Sequence, residues 1–333
     1  MTKAPLLPIS ALLGVALLSA CPPKGGLGGG GSQGAGINPE ACGDLSTAPV
    51  SRRVHSFLLA SAELDRASID LESSVLGACR KMAAILGTNP VGDTRTVCNA
   101  VSAELQANLQ VSVSQEKHLV TREVPGECHT EVDFAAGVVA ECEATVAANV
   151  SLTCNGECTG TCNGACDGTC AGSSGSGGAC NGACDGVCGG TCTGGCDGYL
   201  TGGVEAECRA SVEIRSSVHT VCTEPRLEVV EESVTIVDDT KFRKAQAAIA
   251  AGLPTLRQAA RKAEIIGKAG VMWTKTLGGL IGAGGDLLVE LGERSVCVGG
   301  QLQAALAAAT QVEARFSVSI EVSASISGSA GVQ

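Results

Sequence analysis

Ten of the nineteen cysteines stand four residues apart, in two arms of five separated by the Gly/Ser/Ala segment 171–179. The first arm holds Cys154, Cys158, Cys162, Cys166 and Cys170; the second holds Cys180, Cys184, Cys188, Cys192 and Cys196. A glycine lies midway between successive cysteines throughout both arms. Side chains in a strand repeat every two residues, so cysteines at this spacing share one face, and glycine leaves room between them. The arms carry almost no large apolar residues, so cross-links must substitute for a core there.

The cysteine map is also a mirror. Reflected about Gly175, the numbers of Cys170 and Cys180, Cys166 and Cys184, Cys162 and Cys188, Cys158 and Cys192, and Cys154 and Cys196 each sum to 350. Outside the repeat, where spacing is irregular, Cys142 with Cys208, Cys128 with Cys222, and Pro125 with Pro225 keep the same sum. The reading is one long antiparallel hairpin with its tip at Gly175 and seven disulfide rungs. Directly opposite Cα atoms in an antiparallel pair approach to about 4.5 Å, within disulfide reach. Run straight, its arms would extend on the order of 200 Å. Asn155-Gly156, Asn163-Gly164, Asp167-Gly168, Asn181-Gly182 and Asp185-Gly186 are turn dipeptides, so the arms can coil rather than run flat. Pairing of neighbouring cysteines within an arm is the open alternative for the repeat.

Such a framework belongs in an oxidising compartment. The N-terminus agrees. Lys3 is followed by the apolar run Leu6 to Leu18 and then by Leu18-Ser19-Ala20-Cys21. This resembles a bacterial lipoprotein signal, with residues 1–20 removed. The resemblance implies that Cys21 is acylated and anchors the chain in lipid. Pro22, rather than Asp, follows it, which implies outer-membrane localisation, on the periplasmic or cell-surface side. Without Cys21 the cysteines number eighteen, an even count. The lipobox together with residues 128–222 resembles uncharacterised bacterial lipoproteins with tandem Cys-x-Gly-x repeats, a group that implies surface location and no particular activity.

Residues 21–49 are rich in Gly and Pro and read as a tether. Residues 50–110 read as a helical hairpin. Phe57, Ala60, Leu64, Leu71, Val75, Ala78 and Met82 form an apolar stripe, Gly87 and Pro90 end it, and Asp93 or Thr94 caps a second helix. Cys79 and Cys98 lie nearly equidistant from the turn between them, which pairs them and leaves Cys42 for Cys297. From Val111 the period changes to two, and 111–239 reads as extended structure, with interruptions, flanking the arms. Residues 240–315 return to a helical pattern, with a break or kink at Gly252 and Pro254 and an irregularity at Gly299-Gly300. In 316–333, Phe316, Val318, Ile320, Val322, Ala324 and Ile326 alternate with Ser or Glu, the pattern of a strand. The expected class is α+β: a helical bundle base with a long antiparallel, disulfide-laddered β-hairpin projection.

No catalytic constellation stands out, and no cofactor is implied. Cys128-His129 and His219 with Cys222 have the composition of a zinc site, but the mirror pairs these cysteines directly. The Asx-Gly steps lack the Asp-x-Asp-x-Asp run of a calcium loop. The formal net charge of −11 argues against nucleic acid as a partner. The chain therefore reads as a non-enzymatic, lipid-anchored structural or interaction protein of the envelope, a spacer, adhesin or assembly component. The alternative is a ligand- or metal-binding module that uses the polar face of the arms. The sequence names no protein partner and no oligomeric state.

Overall fold

The computed structural model describes residues 36–112, 120–124, 126–144, 152–170, 180–181, 184–202, 205–230, 238–283 and 289–330. The expected signal peptide, Cys21 and the first part of the tether lie outside them.

Helix α1 (Pro49–Leu86) begins on a proline, whose fixed φ suits the first turn, and ends at Gly87, where φ is 83°. Its buried face includes Phe57, Leu64, Leu71, Val75, Ala78 and Met82. Helix α2 (Thr94–Ser112) is capped by Asp93, whose carboxylate accepts the Thr96 N–H at 2.7 Å. Cys79 of α1 bonds Cys98 of α2, as the turn between the helices predicts. Helices α3 (Val132–Glu143) and α4 (Ala206–Val218) follow on the two sides of the cysteine arms. Helix α5 (Asp239–Gly282) is capped by Asp238, which accepts the Lys241 N–H, and helix α6 (Ser295–Ser329) closes the bundle. Helices α2, α4, α5 and α6 all pack on α1. One apolar cluster runs through these helices, and Trp273 of α5 donates its indole N–H to Ser61 of α1 at 2.8 Å.

Of the break or kink expected at Gly252 and Pro254, the break is absent: α5 passes through both residues. Gly252 serves close helix packing instead. A Cβ there would lie 2.4 Å from Cγ and 2.5 Å from Sδ of Met82. Pro254 deprives the carbonyl of Ala250 of its helical donor, and Ala250 is exposed, where water can replace it. Gly299-Gly300 likewise lies within α6 without interruption.

The α+β expectation is corrected. The described chain is mostly a helical bundle, not a long disulfide-laddered hairpin. Helices α3 and α4 occupy parts of 111–239 that the period-two pattern assigned to extended arms. The strand expected in 316–333 is the end of α6. There, three of the serines that looked like an outward strand face are themselves buried, while Ser317 and Ser325 are exposed. Ser319, Ser323 and Ser327 sit with Phe316, Val322 and Ile326 on one helical face. Serine is small enough for close helix packing and can return its hydroxyl to the preceding turn, as Ser327 does to the Ser323 carbonyl at 2.7 Å.

The strands divide into two groups. In the outer group, β1 (Val120–Val124) pairs with β7 (Arg226–Val230), and β2 (Cys128–Glu131) pairs with β6 (Val221–Cys222) on one edge and joins the inner group on the other, with Thr130 opposite Cys196 and Glu131 opposite Gly195. Val120 faces Val230 and Cys128 faces Cys222, both at the mirror's sum of 350. In the inner group, β3 (Leu152–Cys170) pairs with β5 (Cys184–Gly202) and with the two-residue β4 (Cys180–Asn181). Its main register is displaced by one repeat: Cys158 faces Cys196, Cys162 faces Cys192, Cys166 faces Cys188, and Cys170 faces Cys184, each summing to 354. The mirror pairing of these cysteines is therefore corrected at the level of the backbone. Their side chains lie outside the described structure.

The inner strands are also wound. Cys154 has Leu200 on one edge and Cys188 on the other, twelve positions apart along β5; Cys158 has Cys196 and Cys184, again twelve apart. One strand thus returns to flank its partner after each twelve residues, gaining two strand spacings, or about 10 Å per turn. The straight arms of the sequence expectation are replaced by this winding, which the Asx-Gly steps permit.

Candidate functional site

The wound strands are seated mainly on α4, with α3 beside it. Cys208, Ala210, Val212, Ile214, Ser216 and Ser217 of α4 are all buried. The Ser216 hydroxyl lies 3.3 Å from both the N–H and the carbonyl oxygen of Leu200, at the base of β5. Leu152 and Leu200 are buried there. Thr220 pairs its hydroxyl with that of the buried Thr130 in β2. The base of the strands is thus held by ordinary core packing and hydroxyl hydrogen bonds.

Four disulfides clamp this assembly: Cys42–Cys297, Cys79–Cys98, Cys128–Cys222 and Cys142–Cys208. All four are pairs that the spacing predicts, but one has a different structural meaning. Cys142–Cys208 is not a rung between strands; it joins α3 to α4. Cys128–Cys222 does join directly opposite residues of β2 and β6. With both sulfurs in that bond, neither is available as a thiolate for the zinc set that Cys128, His129, His219 and Cys222 suggest. Among the described residues no group of three or more His, Cys, Asp or Glu could hold a metal ion.

A collar of charges surrounds the seat. Arg215 of α4 reaches Glu63 of α1 at 3.1 Å and Glu141 of α3 at 2.9 Å, and its guanidinium stands 5.8 Å from the centroid of Phe134. His219, at the end of α4, packs its ring 4.2 Å from that of Phe134 and has Nε2 at 3.5 Å from Glu63. Arg53 of α1 lies 3.4 Å from Glu143 of α3 and 3.7 Å from Glu205, which precedes α4. Arg215, His219 and Arg53 therefore each join α1 to the disulfide-bonded pair α3–α4. A partly buried guanidinium that reaches two separate carboxylates through its planar fork of N–H donors fixes orientation as well as proximity.

Two further charged groups lie deeper. Glu213 of α4 is only 5 % exposed, and burial pushes its carboxyl up to about 7, against a weaker pull from Arg209. Arg315 of α6 reaches the buried Asp65 of α1 at 3.0 Å and the Ser68 hydroxyl at 3.1 Å, with Glu72 at 3.6 Å.

Sequence reasoning missed the collar because it missed α3 and α4. A helical signal was there: Ala135, Val138, Val139 and Cys142 are buried at helical spacing, with Asp133 in the first turn. Of the remaining histidines, His55 of α1 lies 3.2 Å from Glu40, and His129 of β2 is exposed. His118 lies outside the described residues. Among the described residues no helix is long and apolar enough to cross a membrane. No protein-family model matches this chain, and neither a curated protein nor a solved structure matches it.

Proposed function

We propose that this chain is a lipid-anchored structural or interaction protein of the cell envelope, in which a disulfide-clamped helical bundle carries the wound cysteine strands as its interacting part. The observation that carries the reading is the set of four disulfides, which close separations of 19, 66, 94 and 255 residues and tie the region of the tether to the last helix. Such a set is stable only where thiols are oxidised. The Leu18-Ser19-Ala20-Cys21 run supports an acylated anchor in the outer membrane. The charged collar supports a structural role over catalysis, since its cations and carboxylates are spent on one another in joining three helices.

Fractionation of cells grown with labelled palmitate tests the anchor: label and protein co-fractionate with the outer membrane, and the Cys21→Ser variant loses both. Label that persists on Cys21→Ser rejects it. Cross-linking on intact cells then tests the interacting part. A partner captured through residues 152–202 supports the reading, and capture only through the helices overturns it.

A further inference from the structure

The two registers of β3 place the ten repeat cysteines in three rows across the strands. One row runs Cys170, Cys184, Cys158, Cys196, each directly opposite the next. The second runs Cys166, Cys188, Cys154 and then meets Leu200, which carries no sulfur. The third runs Cys180, Cys162, Cys192. All ten are even-numbered and so share one face of the alternating strands. Neighbours within a row occupy opposite positions in antiparallel pairs, where Cα atoms are about 4.5–5.5 Å apart and a disulfide can form.

Parity decides what the rows can hold. Four cysteines close two disulfides; three close one and leave one sulfur over. The mirror register would have paired all ten. The observed displacement by one repeat puts Leu200, not a cysteine, opposite Cys154. We propose that each three-cysteine row holds one disulfide and one thiol, and that thiol–disulfide exchange shifts the bond between the two ends of the row.

The middle residue, Cys188 or Cys162, is always bonded; the thiol is at one end. In the third row, the Cys180 thiolate attacks the sulfur of Cys162. The Cys162–Cys180 bond forms as the Cys162–Cys192 bond breaks, and Cys192 leaves as the thiolate, taking up the proton that Cys180 gave. Nothing is oxidised or reduced overall, so the step needs no outside reagent. In the second row Cys154 and Cys166 exchange on Cys188 in the same way. The same thiols can attack a small disulfide added from outside, releasing one thiolate for each mixed disulfide formed.

The test uses the full chain with Cys21→Ser, purified without reductant and titrated under denaturing conditions with the aromatic disulfide DTNB. The expected titre is about two thiols per chain, one from each odd row. Alkylation and peptide mapping place the label, or a small-thiol adduct, on Cys154 or Cys166 and on Cys180 or Cys192, and never on Cys158, Cys170, Cys184 or Cys196. Adding Cys154→Ser and Cys180→Ser leaves two cysteines in each odd row. The titre then falls to near zero, and the rows map solely as Cys166–Cys188 and Cys162–Cys192. A titre near zero before those substitutions, a label on the four-cysteine row, or a Cys154–Cys196 disulfide overturns the proposal.

Discussion

Around the bundle, β1 with β7 and β2 with β6 pair at 350, whereas the inner strands β3 and β5 pair at 354. The difference is absorbed just beyond the helices. Cys142 and Leu152 stand ten positions apart, but Gly202 and Cys208 only six. In the outer region each contact is made by a side chain that occurs once: Thr130 with Thr220, Arg215 with Glu141, Cys142 with Cys208. Moving the register by four would break them all. In the inner region a slip of four returns cysteine to cysteine and glycine to glycine, so the repeat itself hardly distinguishes registers. The buried base at Leu152 and Leu200 decides instead. A symmetric, repetitive pattern states that two segments pair; only an irregular one states where.

The comparison can be broken most sharply in the bundle. Arg315→Ala removes the guanidinium that neutralises the buried carboxylate of Asp65, which is 4 % exposed. Removing one partner of a buried pair costs about 3–5 kcal/mol, so urea unfolding followed by circular dichroism should show a loss of that size. A loss below about 1 kcal/mol would mean that the site is far wetter than its geometry indicates.

The next effect has the opposite sign and a pH signature. Glu213 has its carboxyl raised from 4.5 to about 7 by burial. The folded state then holds its proton more tightly than the unfolded one, so the group favours folding most below pH 4.5, and that contribution is lost as pH rises through 7. Glu213→Gln should match the parent near pH 4 and gain stability between pH 4.5 and 7, reaching about 3 kcal/mol at most above that. A difference that does not change between about pH 5 and 8 contradicts this assignment.

Gly252→Val is expected to cost about 2 kcal/mol through overpacking of α5 against α1. Since the clash is with Met82, the double variant with Met82→Ala should lose less than the sum of the single losses, as measured in a double-mutant cycle. Additive losses would place the cost elsewhere.

The smallest effect belongs to the inner strands. Deleting one repeat from each arm, residues 163–166 together with the opposed 188–191, preserves the period and the base. The helical unfolding transition should move by about 1 kcal/mol or less, as for a repeat removed from a stack. Loss of the cooperative helical transition would show that the two regions are one folding unit.

The parts legible in the sequence were those where a residue has one structural use. Gly87 and Asp93 mark helix ends correctly. The irregular intervals around Cys128, Cys142, Cys208 and Cys222 fix their pairs even though two of these cysteines sit on helices rather than strands. What escaped was ambiguous in kind. Ser319 and Ser323 are polar yet buried, so 316–326 imitates a strand. Gly252 is a helix breaker by propensity and a packing surface in fact. Arg215, Glu63 and Glu141 come from three helices, and nothing local in the chain links them.

The cystine between Cys42 and Cys297 has a mechanical consequence. The segment before α1 is fastened to α6 there, and again where the Asn38 N–H meets Gln301 at 2.6 Å and where Arg294 meets the carbonyl of Asp44. A pull on the chain ahead of residue 38 therefore enters the fold at a covalent bond to its last helix. It loads α6 along with α1, in shear across their packed faces, and cannot peel α1 away from Pro49 one turn at a time.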